Sequence, residues 1–402
     1  MMNTLKINFN ILKIYNLLLV LVTFSLSLNR KILPILLFPL IFISILIRIK
    51  YKYLLFKEKY FYFFIVFYLY IIIRTLFDID HFSLGSKFII KNLSFIVMPI
   101  IVIPKIILSY KIIFKFFIYG LILSVLIIFL RMGIDFGFHH HTNIKFFYKL
   151  FVIYGFHPTY LGLYAISAII ILDNLKLFNK KTTNIFILFF SFLVFITISR
   201  IAILCLVLFF IYKSIFNKDI FYGKILIALL IMSVSMYHFS KDYRLKIDQI
   251  SDFKGFSYYD NNNYSSVSLR VAKIKASIRV WEKNKWFGVG PGQIEDQLIS
   301  FYRTKSIQCW PCAKRKYNSH NEYLQLLATF GNIGLAFFLI LISFFIFNGI
   351  VNKNTLLLWF VFLLLMFSLT ESVLERQRGI TILMFMLIMV YQFNNYERSI
   401  NK

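Results

Sequence analysis

Long apolar blocks alternate with short basic loops along most of the chain. A bilayer core needs roughly 20 apolar residues per helix. Blocks of that length recur near 11–28, 32–48, 60–77, 88–104, 112–130, 156–174, 183–199, 201–216, 223–239, 322–349, 354–370 and 379–393. The pattern predicts an all-α polytopic membrane protein with about twelve transmembrane helices. The first block, Ile11 to Leu28, lacks a small-residue cleavage site and reads as an uncleaved span. Spans seven and eight are parted only by a tight turn at Ser199-Arg200.

Residues 240–321 break the pattern as the one long polar stretch, so the expected organisation is 1–239 (spans one to nine), 240–321 (a large loop between spans nine and ten) and 322–402 (spans ten to twelve and a short tail). Within the loop, 251–266 reads as irregular. Ser268 to Trp281 reads as a helix, with Val271, Ile274, Ile278 and Trp281 forming one apolar stripe. Arg270, Lys273, Lys275 and Arg279 lie off that stripe, and the helix either rests on the membrane surface or covers the bundle mouth. Gly288-Val289-Gly290-Pro291-Gly292 follows as a turn.

The formal charge is +28, which admits nucleic acid, loop charge or an anionic substrate as its cause. No soluble basic domain is present to carry nucleic acid, so that class is set aside. Lys/Arg placement favours a cytoplasmic N-terminus: Arg48, Lys50, Lys52, Lys57 and Lys59 share one loop, and Lys213, Lys218 and Lys224 another. Twelve spans then put both termini in the cytoplasm and the 240–321 loop outside. That loop carries fifteen Lys/Arg against seven Asp/Glu. Charge bias does not govern long loops, so either a plain solvated surface or a polyanion such as a diphosphate accounts for it.

Candidate chemistry gathers on the outer face. Ser319-His320-Asn321-Glu322 precedes span ten as a capping box, with Ser319 as the N-cap and His320 in the first turn. A helix N-terminus attracts phosphate and keeps an imidazole neutral. The plainer reading is a first-turn histidine in water. Arg200 at a span edge is either a snorkelling anchor or a phosphate ligand. Glu371 and Arg376 emerge in the last outer loop. His139, His140 and His141 lack a second ligand cluster. Cys309 and Cys312 are read as a disulfide rather than half of a zinc site, and Cys205 as a packed thiol. No dinucleotide fingerprint, Walker loop or nucleophile elbow occurs.

The chain resembles the O-antigen ligase/polymerase superfamily. The resemblance rests on Ile198-Ser199-Arg200 at a span end, on Arg270 eighteen residues before the glycine turn, on His320-Asn321-Glu322-Tyr323-Leu324-Gln325 with Gly331-Asn332-Ile333-Gly334, on Thr370-Glu371-Ser372, and on His157-Pro158-Thr159-Tyr160. It covers roughly 157–380. Ile274 departs from the tryptophan many members carry there. The resemblance implies a multi-pass enzyme of the bacterial inner membrane with a periplasmic loop and no cofactor or metal. It implies glycan transfer from a polyprenyl (undecaprenyl) diphosphate donor to an acceptor hydroxyl with inversion. Catalytic roles fall to His320, Arg200 and Arg270, and substrate contacts to Arg279, Asn321, Glu371, Arg376 and His157. O-antigen ligation to lipid A–core is the leading expectation; glycan polymerisation and protein O-glycosylation use the same motifs. A polysaccharide transporter or flippase is the rival class, but ionisable groups gather at the outer face rather than mid-bilayer and no inverted repeat is evident.

Reporter fusions test the topology: fusions at Lys180 and Lys218 are expected to read cytoplasmic and one at Asn263 outside, and a cytoplasmic Asn263 overturns the orientation.

Overall fold

The computed structural model describes residues 9–28, 32–53, 58–78, 81–139, 157–239, 244, 248 and 266–400. Residues 251–265, Asn263 among them, and His140 and His141 lie outside the described residues, as does the side chain of His139. Among the described residues every element is helical. In chain order they are α1 (Phe9–Ser25), α2 (Ile32–Lys50), α3 (Lys59–Leu76), α4 (Phe82–Lys91), α5 (Ser94–Ile101), α6 (Tyr110–His139), α7 (Pro158–Leu175), α8 (Lys180–Ile196), α9 (Arg200–Ile215), α10 (Ile220–Phe239), α11 (Ser266–Lys283), α12 (Ile294–Tyr302), α13 (Trp310–Lys314), α14 (Glu322–Val351), α15 (Thr355–Ser368) and α16 (Gln377–Ile400). Seven helical segments among the described residues are long and apolar enough to cross a membrane.

The bundle is sorted by how much apolar surface each helix hides. In α7 nearly every residue from Pro158 to Leu172 is buried, and in α16 the run Ile380 to Val390 is wholly buried. A helix apolar all round belongs at the centre of a bundle. On α2, Ile35, Phe38, Phe42 and Ile49 are exposed, as are Ile227, Leu230 and Ile231 on α10. Apolar surface of that extent calls for an apolar solvent, which the bilayer supplies.

The fourth apolar block, expected as a single span over 88–104, forms one candidate crossing over Phe82–Ile101. It is two helices, α4 and α5, broken at Asn92-Leu93. The Asn92 side chain donates to the Phe88 carbonyl at 3.0 Å. At the far end of α5, buried Arg48 donates to the carbonyls of Pro99, Ile100 and Val102 at 2.9–3.0 Å. Arg48 therefore serves the orphan carbonyls of a helix end inside the protein, rather than acting as loop charge.

The segment 266–321 folds onto the bundle as a cap. α11 packs against α12 and α14, and its buried face is Ala272, Ala276, Ser277 and Val280, together with Lys273. The apolar stripe expected from the sequence points elsewhere: Ile274 is 40% exposed. Small side chains let α11 approach α14 closely, which the isoleucine face does not. Cys309 and Cys312 form a disulfide and are buried in the same cluster. Cys205 is buried in the bundle core.

Two glycine-rich stretches meet to join this cap to the membrane helices. α14 is broken at Gly331, whose φ is 67° and ψ −165°. The turn after α11 bonds to both sides of the break: Val289 and Gly290 donate to the carbonyls of Ala328 and Thr329 at 3.0 and 2.8 Å, and Asn332 and Ile333 donate to those of Lys285 and Trp286 at 2.8 and 3.3 Å. Arg74 of α3 holds the turn from below, donating to the carbonyls of Phe287 and Gly288, both at 3.0 Å. A Cβ on Gly331 meets the Trp286 carbonyl oxygen at 2.2 Å, and one on Gly288 meets the Thr329 backbone at 2.4 Å. Only glycine permits both the positive φ and the approach.

Gly331→Ala is expected to lower the melting temperature in detergent, since the left-handed backbone alone costs about 1–3 kcal/mol. Gly133→Ala, where an added Cβ meets nothing within 4 Å, is expected to leave it unchanged or raise it slightly.

Candidate active site

His320 sits just before α14, in a left-handed conformation with φ 47°. The capping box expected from the sequence is displaced by two residues. Asn321, not Ser319, is the N-cap: its side-chain oxygen accepts from Leu324 N–H at 2.9 Å and its amide donates to the Leu369 carbonyl at 3.1 Å. Glu322 does not reach back to Ser319; it accepts from Leu374 N–H at 2.8 Å. Ser319 is held instead by Gln325, whose side-chain oxygen accepts its N–H at 3.0 Å and its hydroxyl at 2.7 Å. His320 thus precedes the first turn, and a carboxylate, not the helix end, dominates its surroundings.

That carboxylate is Glu371. Its Oε2 lies 3.6 Å from His320 Nδ1, longer than a short hydrogen bond. Its Oε1 accepts from Thr159 in the first turn of α7 at 3.3 Å, where the helix end favours an anion. Burial pushes the Glu371 pKa up, but His320, then His157 and Arg270, outweigh it and hold the group below the usual carboxylate value. His157, the N-cap of α7, is pushed down by burial, with Arg376 and His320 adding to the effect against Glu371. Around Glu371, the hydroxyls of Tyr160, Thr370 and Ser372 are buried without a hydrogen-bond partner among the described residues. They retain capacity to bond a polar ligand or water.

A cationic group faces this pair. Arg200 begins α9 and Arg270 lies on α11, both exposed, and close enough that after burial Arg270 is the chief influence lowering the Arg200 pKa. Lys273, one turn beyond Arg270, is 6% exposed and stands 4.1 Å over the Tyr317 ring. The Tyr317 ring meets His320 edge-on at 5.6 Å between centroids. Burial, then Arg270, pulls the Lys273 pKa down to about 8, against an opposing pull from Glu371. Sequence periodicity put Lys273 among the solvated residues of its helix. The signal that finds it is the Ala272-Ala276-Val280 spacing, which places Lys273 and Ser277 beside the small-residue face.

A second network backs the site. Ser277 donates to Ser319 at 2.7 Å, and Gln325 donates to Glu375 at 3.2 Å. Lys91 stands 3.5 Å from Glu375, offsetting the burial that raises that carboxyl. Gln325 therefore fixes Ser319, and through it the turn carrying His320.

His320, Glu371, His157, Arg200 and Arg270 are thus brought to one end of the bundle, with Arg376 beside Glu371 and His157. Arg279 is not brought there: it is exposed, about two and a half turns of helix past Arg270, and pairs with Glu282 at 3.1 Å. Residues 185–339 match the O-antigen ligase family model. The match supports the superfamily resemblance drawn from the motifs, and it contains Arg200, Arg270, Lys273 and His320. His157, Glu371 and Arg376 lie outside the matched stretch and join the site through the fold. No curated protein matches the chain.

The buried lysine makes a signed pH prediction. Below about pH 8 Lys273 is charged in folded and unfolded chains alike, and its burial penalty is complete. As pH rises toward 10.5 the folded chain has released the proton and the unfolded chain has not, so stability rises. The stability of Lys273→Met relative to wild type is therefore expected to be greatest at pH 7 and to shrink as pH rises from about 8 toward 10.5, read from melting curves at each pH.

Proposed function

We propose that the protein transfers a glycan from a polyprenyl-diphosphate carrier to an acceptor hydroxyl at the periplasmic face of the inner membrane. The O-antigen ligase match supports a ligase- or polymerase-type membrane glycosyltransferase. The observation that carries the finer reading is the His320–Glu371 pair facing Arg200, Arg270 and Lys273. The full reading has twelve crossings, both termini in the cytoplasm and lipid A–core as acceptor.

The chemistry follows from where charge develops. The acceptor oxygen attacks the anomeric carbon while the bond from that carbon to the diphosphate oxygen breaks. Attack from the face opposite the leaving group inverts the centre. The hydroxyl proton passes to His320, and Glu371, whose pKa lies below the usual carboxylate value, orients the imidazole and stabilises the imidazolium. The departing diphosphate gains negative charge, which Arg200, Arg270 and Lys273 receive. Each charge-assisted hydrogen bond contributes about 1.5–3 kcal/mol. Arginine's planar fork suits bidentate contact with phosphate oxygens. His157, kept neutral by burial, has a ring suited to hydrogen bonding a sugar hydroxyl, and Arg376 borders the same space. The unsatisfied hydroxyls of Tyr160, Thr370 and Ser372 add donors there.

The test is transfer from purified donor to acceptor in detergent, with donor binding measured alongside. His320→Gln is expected to lower turnover about 10²–10⁴-fold, the usual contribution of a general base, while donor binding persists. Arg200→Lys and Arg270→Lys are expected to weaken both. Full activity in His320→Gln removes histidine as the base. The acceptor is read separately from lipopolysaccharide of a deletion strain: core without polymer indicates a ligase, and core bearing one repeat a polymerase.

A further inference from the structure

At the opposite end of the bundle lies a cavity of about 330 Å³ that the transfer reaction does not use. It is bounded by Lys111 at the start of α6, Asn174 and Lys176 at the end of α7, and Lys353 and Thr355 between α14 and α15, with Leu356 and Phe393 among its apolar walls. The 18 residues of α7 separate it from His157, about 27 Å of helix rise and close to the roughly 30 Å thickness of a bilayer core.

Its electrostatics are one-sided. Lys111, Lys176 and Lys353 are exposed, and among the described residues no carboxylate lines the cavity. Asp173, next to Asn174 in the chain, is bound by Lys213 and Tyr222. Among the described residues none of the three cavity lysines makes an ion pair. Asn174 and Asn354 each donate one amide N–H to a carbonyl, that of Ile170 or Val390, and the lysines are the charged donors facing a ligand. The N-terminus of α15 opens at Thr355 and adds partial positive charge. Three ammonium groups over an apolar floor suit a phosphate anion carrying an apolar body. A basic pocket between membrane helices at the level of the headgroups fits that chemistry.

We propose that this cavity binds the phosphate of an anionic phospholipid headgroup in the leaflet opposite the His320 site. The proposal does not depend on the transfer reaction. The shared chemistry is a phosphate ester, and the source is separated by experiment. Full-length protein in lipid-free detergent is titrated with phosphatidylglycerol, phosphatidylcholine or glycerol 3-phosphate, and read by native mass spectrometry and by melting temperature. Phosphatidylglycerol is expected to be retained and to raise the melting temperature at concentrations about tenfold below phosphatidylcholine, because only its net charge is unbalanced. The triple variant Lys111→Gln, Lys176→Asn, Lys353→Asn is expected to lose that preference; asparagine tolerates the left-handed backbone at Lys176 and Lys353. If the triple variant melts early without lipid, Lys111→Gln alone is expected to weaken phosphatidylglycerol about threefold. Equal response to both lipids, or an unchanged preference in the variants, overturns the proposal. Protection by glycerol 3-phosphate equal to that by phosphatidylglycerol overturns the lipid source.

Discussion

A helix that breaks inside a membrane protein frees backbone groups that hydrocarbon cannot satisfy. The break at Gly331 is answered by backbone from the cap: residues 285–290 supply the missing partners on both sides. This one junction sets the rest. It seats the cap on α3 and α14, fixes the end of α11, and so determines where Arg270 and Lys273 stand relative to His320. It also divides α14 into a first part that carries the site's histidine loop and a second, from Asn332 to Val351, long enough to span by itself.

The site is assembled from four separated parts of the chain. The first turn of α7 brings Thr159 and His157, the start of α9 brings Arg200, the cap brings Arg270, Lys273 and Tyr317, and the loop before α16 brings Glu371. Glu371 is the common point, since the histidines and Arg270 all act on it. Two carboxylates in one loop are treated oppositely: His320, His157 and Arg270 hold Glu371 below the usual carboxylate value, whereas burial dominates at Glu375 and only Lys91 and its neighbours moderate it. Glu375 then serves the hydrogen-bond network behind Gln325.

Much of this was legible in the sequence, for particular reasons. Apolar blocks mark membrane helices because the bilayer imposes a length, and an all-helical protein with several crossing helices follows. His157, Arg200, Arg270, His320 and Glu371 were readable as one group because alternating spans bring their loops to one end of a bundle. What stayed hidden depends on tertiary contacts. The N-cap moved from Ser319 to Asn321 because Gln325 and Ser277 compete for the serine, and neither partner is visible from local spacing. The buried face of α11 was misread because close approach selected small residues over large ones. The break between α4 and α5 inside the fourth span was not visible, since Asn92 acts through a single side-chain bond and Arg48 from a distant helix. The two glycine motifs were visible as motifs, but their pairing was not.

Glu371 has a further consequence, concerning the order in which the chain is made. The histidine loop and both arginines precede it, so they leave the ribosome first. Until the penultimate membrane helix has been synthesised, His320 lacks the carboxylate beside it and Thr159 lacks that hydrogen-bond acceptor. A chain truncated before that point holds Arg200, Arg270 and His320 without Glu371. The cluster is therefore completed late in biogenesis, as a property of the finished membrane bundle and not of the segment 266–321 that bears most of the recognisable motifs.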